Sequence, residues 1–147
     1  MQLEFEDEAT FFSLASEYLQ AAMLLQNTKS TGIKVSHVIY YLIGHAAELF
    51  VKSVLCEQGV SIDELRNNFG HDLRKLTAEL KKNYTSFNLN CDRIIALDTM
   101  YKYKHLEYRQ RTEKTFPSAD LLLEDVGRLS AFAFDEVAKL QKIEKSN

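Results

Sequence analysis

Residues 35–59 read VSHVIYYLIGHAAELFVKSVLCEQG, and this stretch decides how the rest of the chain folds. Its apolar residues occupy more positions than one face of a helix can hold, so a helix over this stretch must be covered on most sides. One narrow polar stripe remains, because spacings of four, three and four stack its members on a single side. This polar seam consists of Tyr41, His45, Glu48 and Lys52. The stretch therefore predicts a central buried helix that carries a polar seam.

The composition indicates a small helical protein. The chain has 147 residues with one Pro and five Gly, which argues against a loop-rich or all-β fold. A formal net charge of -3 offers no broad basic field for long nucleic acids. The first residues, MQLEFEDEATFF, are acidic where a secretory signal is basic, and the longest apolar run, residues 38–43, is far shorter than a membrane span. We therefore expect a cytoplasmic protein without membrane contact.

Apolar periodicity predicts further helices around the central one. Spacings of three and four predict a first helix over about residues 6–27 and a last one after Pro117. Between the first and the last helix, the helical segments are separated by residues suited to helix ends. These are Gly59, Ser61 with Glu64, Gly70, Asp72, Asn90 and Ser118. We predict an all-α, mainly antiparallel bundle of five to six helices, forming a single domain over residues 1–147 with short polar termini.

The polar seam has two interpretations. Glu48 and Lys52 form an i,i+4 pair in the favourable order, so they can simply neutralise each other where the helix reaches water. Alternatively, buried ionisable residues cluster at functional sites. A metal site is not expected, because di-iron bundles need two Glu-x-x-His pairs and two further glutamates, whereas His45-x-x-Glu48 is a single reversed pair. The sequence gives no sign of a cofactor.

A second candidate site lies in RNNFGHDL, residues 66–73. In a structural interpretation, Gly70 ends one helix and Asp72 caps the next. In a functional interpretation, His71 removes a proton from a 2′-OH of RNA while Arg66 holds the charge that builds on the phosphate. Five positions of a continuous helix turn through about 500°, which puts these two side chains on different faces. They can converge only if Gly70 breaks the helix.

A third candidate is the aromatic and basic segment MYKYKHLEYRQR, residues 100–111. Aromatic rings can stack on bases while basic side chains neutralise phosphates. The alternative is a helix end that packs its rings and solvates its charges. The candidate nucleic-acid contacts in this segment are Tyr103, Tyr108, Arg109 and Arg111.

Three pieces of sequence together resemble the HEPN-domain family of small helical proteins from prokaryotic toxin–antitoxin and defence systems. They are YLIGHAAELFVK at residues 41–52, then Gly59, then FGHDL at residues 69–73 with Leu76. A looser similarity extends over residues 103–111, and the whole resemblance runs from about residue 21 to 129. It implies an all-α bundle that commonly forms a homodimer.

The resemblance also implies an activity. Active members are metal-independent endoribonucleases that use an arginine and a histidine four to six residues apart, with a polar residue after the arginine. Arg66, Asn67 and His71 match this pattern, and Glu48 matches an acidic position near the active groove. In catalytic members the pair usually lies late in the bundle, where this chain offers Arg109 and Arg111 without a following histidine.

Two hypotheses follow. In the first, the protein acts on or with RNA as a ribonuclease toxin, with His71 as general base, Arg66 as phosphate stabiliser and Glu48 as a supporting group. RNA or partner contacts would then come from a wider set: Asn67, His45, Lys52, Tyr103, Tyr108, Arg109 and Arg111. In the second, it is a non-catalytic dimeric module that binds a partner such as a nucleotidyltransferase.

Overall fold

The computed structural model describes residues 7–28, 36–102 and 116–146, and within these ranges every regular element is helical. The helices are α1 (Glu8–Thr28), α2 (His37–Glu57), α3 (Ile62–Glu64), α4 (Leu73–Asn83), α5 (Asp92–Lys102) and α6 (Ala119–Ser146), and α3 continues into a π-helical turn, Leu65–Phe69. The predicted all-α bundle is confirmed.

Helix α2 lies at the centre, as its composition predicts. It packs against α1, α6, α4 and α5. Its side chains Ile43, Phe50, Val54 and Leu55 are completely buried. Burying apolar surface on several sides of one helix supplies the main driving force for assembling such a bundle.

Aromatic contacts fix the directions of the three long helices. Phe12, near the start of α1, contacts Phe50 in the second half of α2 and Phe134 in the second half of α6, at 5.4 and 5.9 Å between ring centroids. At the other end, the Tyr40 hydroxyl donates a hydrogen bond to the Pro117 carbonyl at 2.6 Å. Helix α1 is thus antiparallel to α2 and α6, but α2 and α6 run in the same direction. The long connection that carries α3, α4 and α5 makes this parallel pair feasible.

The predicted helix ends are largely confirmed. Gly59 has φ of 101°, and the bonds from Gly59 N to Cys56 O and from Val60 N to Leu55 O form a Schellman motif. Asp72 Oδ1 accepts a hydrogen bond from Lys75 N at 3.0 Å. Ser36, which we did not predict as a cap, accepts one from Ile39 N at 3.3 Å. These caps fix both ends of α2 and the start of α4.

By length and composition alone, α2 is apolar enough to cross a membrane. However, 78% of its most apolar window is buried inside the bundle. This burial is what a core helix requires.

Candidate functional site

A cavity of about 530 Å³ opens beside the middle of α2. Its polar lining comes from α2 and from the segment between α3 and α4: His45, Glu48, Lys52, Arg66 and His71. Its apolar lining is Phe11, Leu49, Ile62 and Leu65. The first two candidate sites of the sequence, the polar seam and the Arg66–His71 pair, therefore meet in one cavity.

The turn between α3 and α4 brings Arg66 and His71 to the same cavity. Leu65, which is buried, begins a π-helical turn that the bond from Gly70 N to Leu65 O closes at 3.0 Å. Gly70 then reverses the chain with φ of 52°, a value that favours glycine. Successive residues of a π turn are rotated by a smaller angle about the helix axis than those of an α-helix. The π turn and Gly70 together therefore bring Arg66 and His71 to one cavity, although a continuous α-helix would place them on different faces.

The start of α4 is held from outside the turn as well. Asp98 of α5 is buried, and its Oδ1 accepts hydrogen bonds from Leu73 N at 2.7 Å and Arg74 N at 3.4 Å. A carboxylate at a helix N-terminus also interacts favourably with the helix dipole. His71 is consequently fixed between Gly70 and a capped helix end, although 53% of its side chain is exposed.

Glu48 lies at the centre of the hydrogen-bond network of the site. Its Oε1 accepts hydrogen bonds from His71 Nδ1 and from the Tyr101 hydroxyl, both at 2.7 Å, and its Oε2 binds Lys52 Nζ at 3.0 Å. Glu48 is only 2% exposed. Burial by itself would raise its pKa, but the bonds from His71 and Tyr101 and the charge of Lys52 outweigh burial and hold the pKa of Glu48 below its usual value. Glu48 is therefore ionised at neutral pH.

Tyr101 extends the network to the second histidine. His45 Nδ1 lies 2.6 Å from the Tyr101 hydroxyl oxygen. Burial, together with the charge of Glu48, raises the pKa of Tyr101, so this phenol stays protonated. A continuous path of hydrogen bonds thus runs from His45 through Tyr101 and Glu48 to His71.

Sequence reasoning missed Tyr101 as a member of the site. We assigned it to an aromatic and basic segment, but it is only 4% exposed and packs on the centre of α2. Gly44 makes this possible, because a Cβ added there would lie 2.5 Å from Tyr101 Cδ1. A glycine inside an otherwise strong helix was the one signal of a close approach.

The other predicted residues have different outcomes. Glu48 and Lys52 do pair, at 3.0 Å, but both are buried, at 2% and 7% exposure, so the interpretation that places this pair where the helix reaches water is wrong. The carboxylate is held inside the site by two further donors. Asn67 is exposed and is not part of the cavity lining. Four more candidates lie outside the described residues: Tyr103, Tyr108, Arg109 and Arg111.

In the part of the chain that the structure describes, no group of three or more His, Cys, Asp or Glu is arranged to hold a metal ion. Comparisons with family models, with curated proteins and with solved structures gave no significant match.

Proposed function

We propose that this chain is a HEPN-like protein that acts on RNA as a metal-independent endoribonuclease. One observation carries the proposal: Arg66 and His71 line the same cavity, and a buried ionised Glu48 binds His71 through Nδ1. An oriented histidine beside an arginine is what cleavage by an internal 2′-OH needs.

The tautomer of His71 supports its role as general base. Because ionised Glu48 can only accept, the proton of the neutral imidazole lies on Nδ1 and the lone pair lies on Nε2. In the proposed reaction, Nε2 removes the 2′-OH proton and the 2′-oxygen attacks the adjacent phosphorus. The product is a 2′,3′-cyclic phosphate, and the carboxylate stabilises the imidazolium that forms.

The charge of the cavity suits a phosphodiester. Glu48 and Lys52 neutralise each other, which leaves the guanidinium of Arg66 as a positive charge in the cavity that His71 also lines. Arginine presents several donors in a plane and matches phosphate oxygens with two hydrogen bonds at once. Arg66 would therefore hold the charge that builds on phosphorus during attack.

The second candidate function, a non-catalytic interaction module, is favoured by a different observation. Large apolar side chains are exposed on α1 and α6, among them Leu14, Met23, Leu24, Leu121 and Phe134. The central and last helices have a surplus of apolar positions in the sequence, which predicts exposed apolar surface on both. Within the described residues, however, only Val38 is such a side chain on α2, because the other helices cover the rest. A homodimer, or a nucleotidyltransferase-type partner in the cytoplasm, would bury this surface.

The test is cleavage of a mixed RNA pool in EDTA by purified wild type, His71→Asn and Arg66→Gln. Asparagine keeps a donor for Glu48 but has no base, so we expect a loss of about 10²-fold or more. His37→Asn is the matched control for the histidine, because His37 packs on Phe116 outside the cavity. Arg74→Gln, an exposed residue outside the cavity lining, is the control for the arginine.

The nuclease is supported if the wild type and the two controls produce cyclic phosphate ends and both site variants are inactive. If wild type and His71→Asn cut equally, the activity is a contaminant and the proposal fails. If folded wild type does not cut at all, the interaction module becomes the better hypothesis.

A further inference from the structure

The cavity contains a second histidine, which the mechanism above does not use. His45 lies on α2 one turn before Glu48, and its ring lines the same cavity as Arg66 and His71. Three hydrogen bonds of 2.6, 2.7 and 2.7 Å connect the two imidazoles through Tyr101 and Glu48. The two histidines therefore belong to one network.

The hydrogen bonds determine which nitrogen of His45 carries a proton. Tyr101 has a single hydroxyl proton and lies within hydrogen-bond distance of both Glu48 Oε1 and His45 Nδ1. A buried carboxylate must accept, so the phenol donates to Glu48; otherwise two oxygens at 2.7 Å would face each other without a proton between them. The Tyr101 oxygen then accepts from His45, whose proton lies on Nδ1. Nε2 is the nitrogen of His45 that gains and loses a proton.

The surroundings of His45 suit an imidazolium. Its ring stacks on Tyr41, with ring centroids 5.5 Å apart. Aromatic faces attract cations, and the path through Tyr101 ends on the negative charge of Glu48. The cations that also line this cavity are Lys52, which is paired with Glu48, and Arg66.

Cleavage by a 2′-OH needs two proton transfers. One proton leaves the 2′-oxygen, and a second must reach the 5′-oxygen when its bond to phosphorus breaks. Among the ionisable groups of the cavity lining, Arg66 does not release its proton, Glu48 has none, and Lys52 is paired with Glu48 and only 7% exposed. His71 serves the 2′-oxygen. The remaining group is His45.

We propose that His45 is the general acid of this site, a role that rests on the proposed ribonuclease function. As the 2′-oxygen bonds to phosphorus and His71 Nε2 takes its proton, the phosphorus–O5′ bond breaks and His45 Nε2 gives its proton to the 5′-oxygen. One proton is taken and one is given, so the reaction needs no oxidant, metal or further reactant. Exchange with water returns both imidazoles to their starting states.

The experiment compares two RNA dinucleotides, one with an ordinary 5′-oxygen and one with sulfur at that bridging position. A thiolate leaves without being protonated, so the sulfur substrate does not need a general acid. His45→Asn keeps a donor for Tyr101. We expect this variant to lose about 10²- to 10⁴-fold in rate on the oxygen substrate. On the sulfur substrate we expect it to cleave within about tenfold of wild type. His71→Asn should be defective on both substrates.

Three controls keep the outcome decisive. His37→Asn should match wild type on both substrates, and circular dichroism checks that each variant folds. His45→Gln repeats the test if the asparagine variant is unstable. Equal defects of a folded His45 variant on both substrates, or no defect on either, would overturn the role of His45 while leaving His71 as the base. Failure of wild type to cleave either substrate would overturn both proposals.

Discussion

Two buried carboxylates, Glu48 of α2 and Asp125 of α6, are each only 2% exposed but have different partners. Asp125 is held by Arg93, through two bonds of 2.7 and 2.9 Å, and by Arg128 at 3.2 Å. Glu48 is held by one lysine, one histidine and one tyrosine, and it faces a cavity.

The difference separates a structural ion pair from a carboxylate whose donors suit the proton transfers of the proposed ribonuclease. Arginine stays charged at every relevant pH, so the bidentate Arg93 simply joins α5 to α6 through Asp125. Two of the three donors to Glu48 are a histidine and a phenol, whose protons can move or reorient. Burial of a carboxylate alone therefore indicates little about function, whereas the identity of its donors indicates much.

The largest expected effect on stability is that of Glu48→Ala. It leaves the ammonium of Lys52, only 7% exposed, without its anion. Breaking a buried pair in this way costs about 3–5 kcal/mol in the free energy of unfolding. Asp125→Ala should cost less, because the side chains of Arg93 and Arg128 are 41% and 60% exposed and can reach water. Urea denaturation of both variants measures the difference.

The matched control is the double variant Glu48→Ala with Lys52→Met. Removing both charges should recover much of the lost free energy, because the penalty comes from the unpaired ammonium. An equal loss for Glu48→Ala and Asp125→Ala would contradict the distinction between the two carboxylates. A double variant as unstable as Glu48→Ala alone would also contradict this distinction.

Much of the fold could be predicted from short-range patterns. The excess of apolar residues in α2 predicts its burial, and spacings along one helix predict that Tyr41, His45, Glu48 and Lys52 share a side. The caps at Gly59 and Asp72 depend on residues next to them in sequence. Each of these predictions uses interactions within a few residues, which the sequence displays directly.

The assembled site depends on contacts that the sequence does not display. Tyr101 is 53 residues from Glu48, and nothing in its neighbourhood distinguishes it from the other tyrosines of that segment. Likewise, a continuous helix would separate Arg66 from His71, and the π turn together with Gly70 brings both to one cavity. The long-range partner Tyr101 and the π turn were beyond prediction, whereas the break of the helix at Gly70 was expected from the sequence.

Gly44→Ala tests how closely the Glu48 site is packed. The new Cβ would lie 2.5 Å from the ring of Tyr101, which must shift away from Glu48. Overpacking of this kind costs about 1–3 kcal/mol. The matched control is Gly127→Ala in α6, where a Cβ would meet nothing within 4 Å. This control should gain about 0.5–1 kcal/mol, since alanine favours a helix.

If this packing is correct, thermal or urea unfolding should show that Gly44→Ala is less stable than wild type and that Gly127→Ala is more stable. Gly44→Ala should also reduce RNA cleavage, because a displaced Tyr101 no longer connects His45 to Glu48. Stabilisation by both alanines would mean that the Tyr101 ring is not held against α2.

Acid pH should produce the smallest of these effects on stability, through the carboxylate of Glu48. The pKa of Glu48 is lowered from 4.5 in the folded protein, so the unfolded chain binds its proton first as the pH falls. The contribution of Glu48 is therefore fully present above pH 4.5 and is lost as the pH falls through the lower folded value. Urea unfolding at neutral pH and at several pH values below 4.5 should show this loss in wild type. It should be smaller in Glu48→Gln. If Glu48→Gln loses as much stability in acid as wild type does, Glu48 is not ionised in the folded protein, and the assignment of protons to Tyr101 and both histidines fails with it.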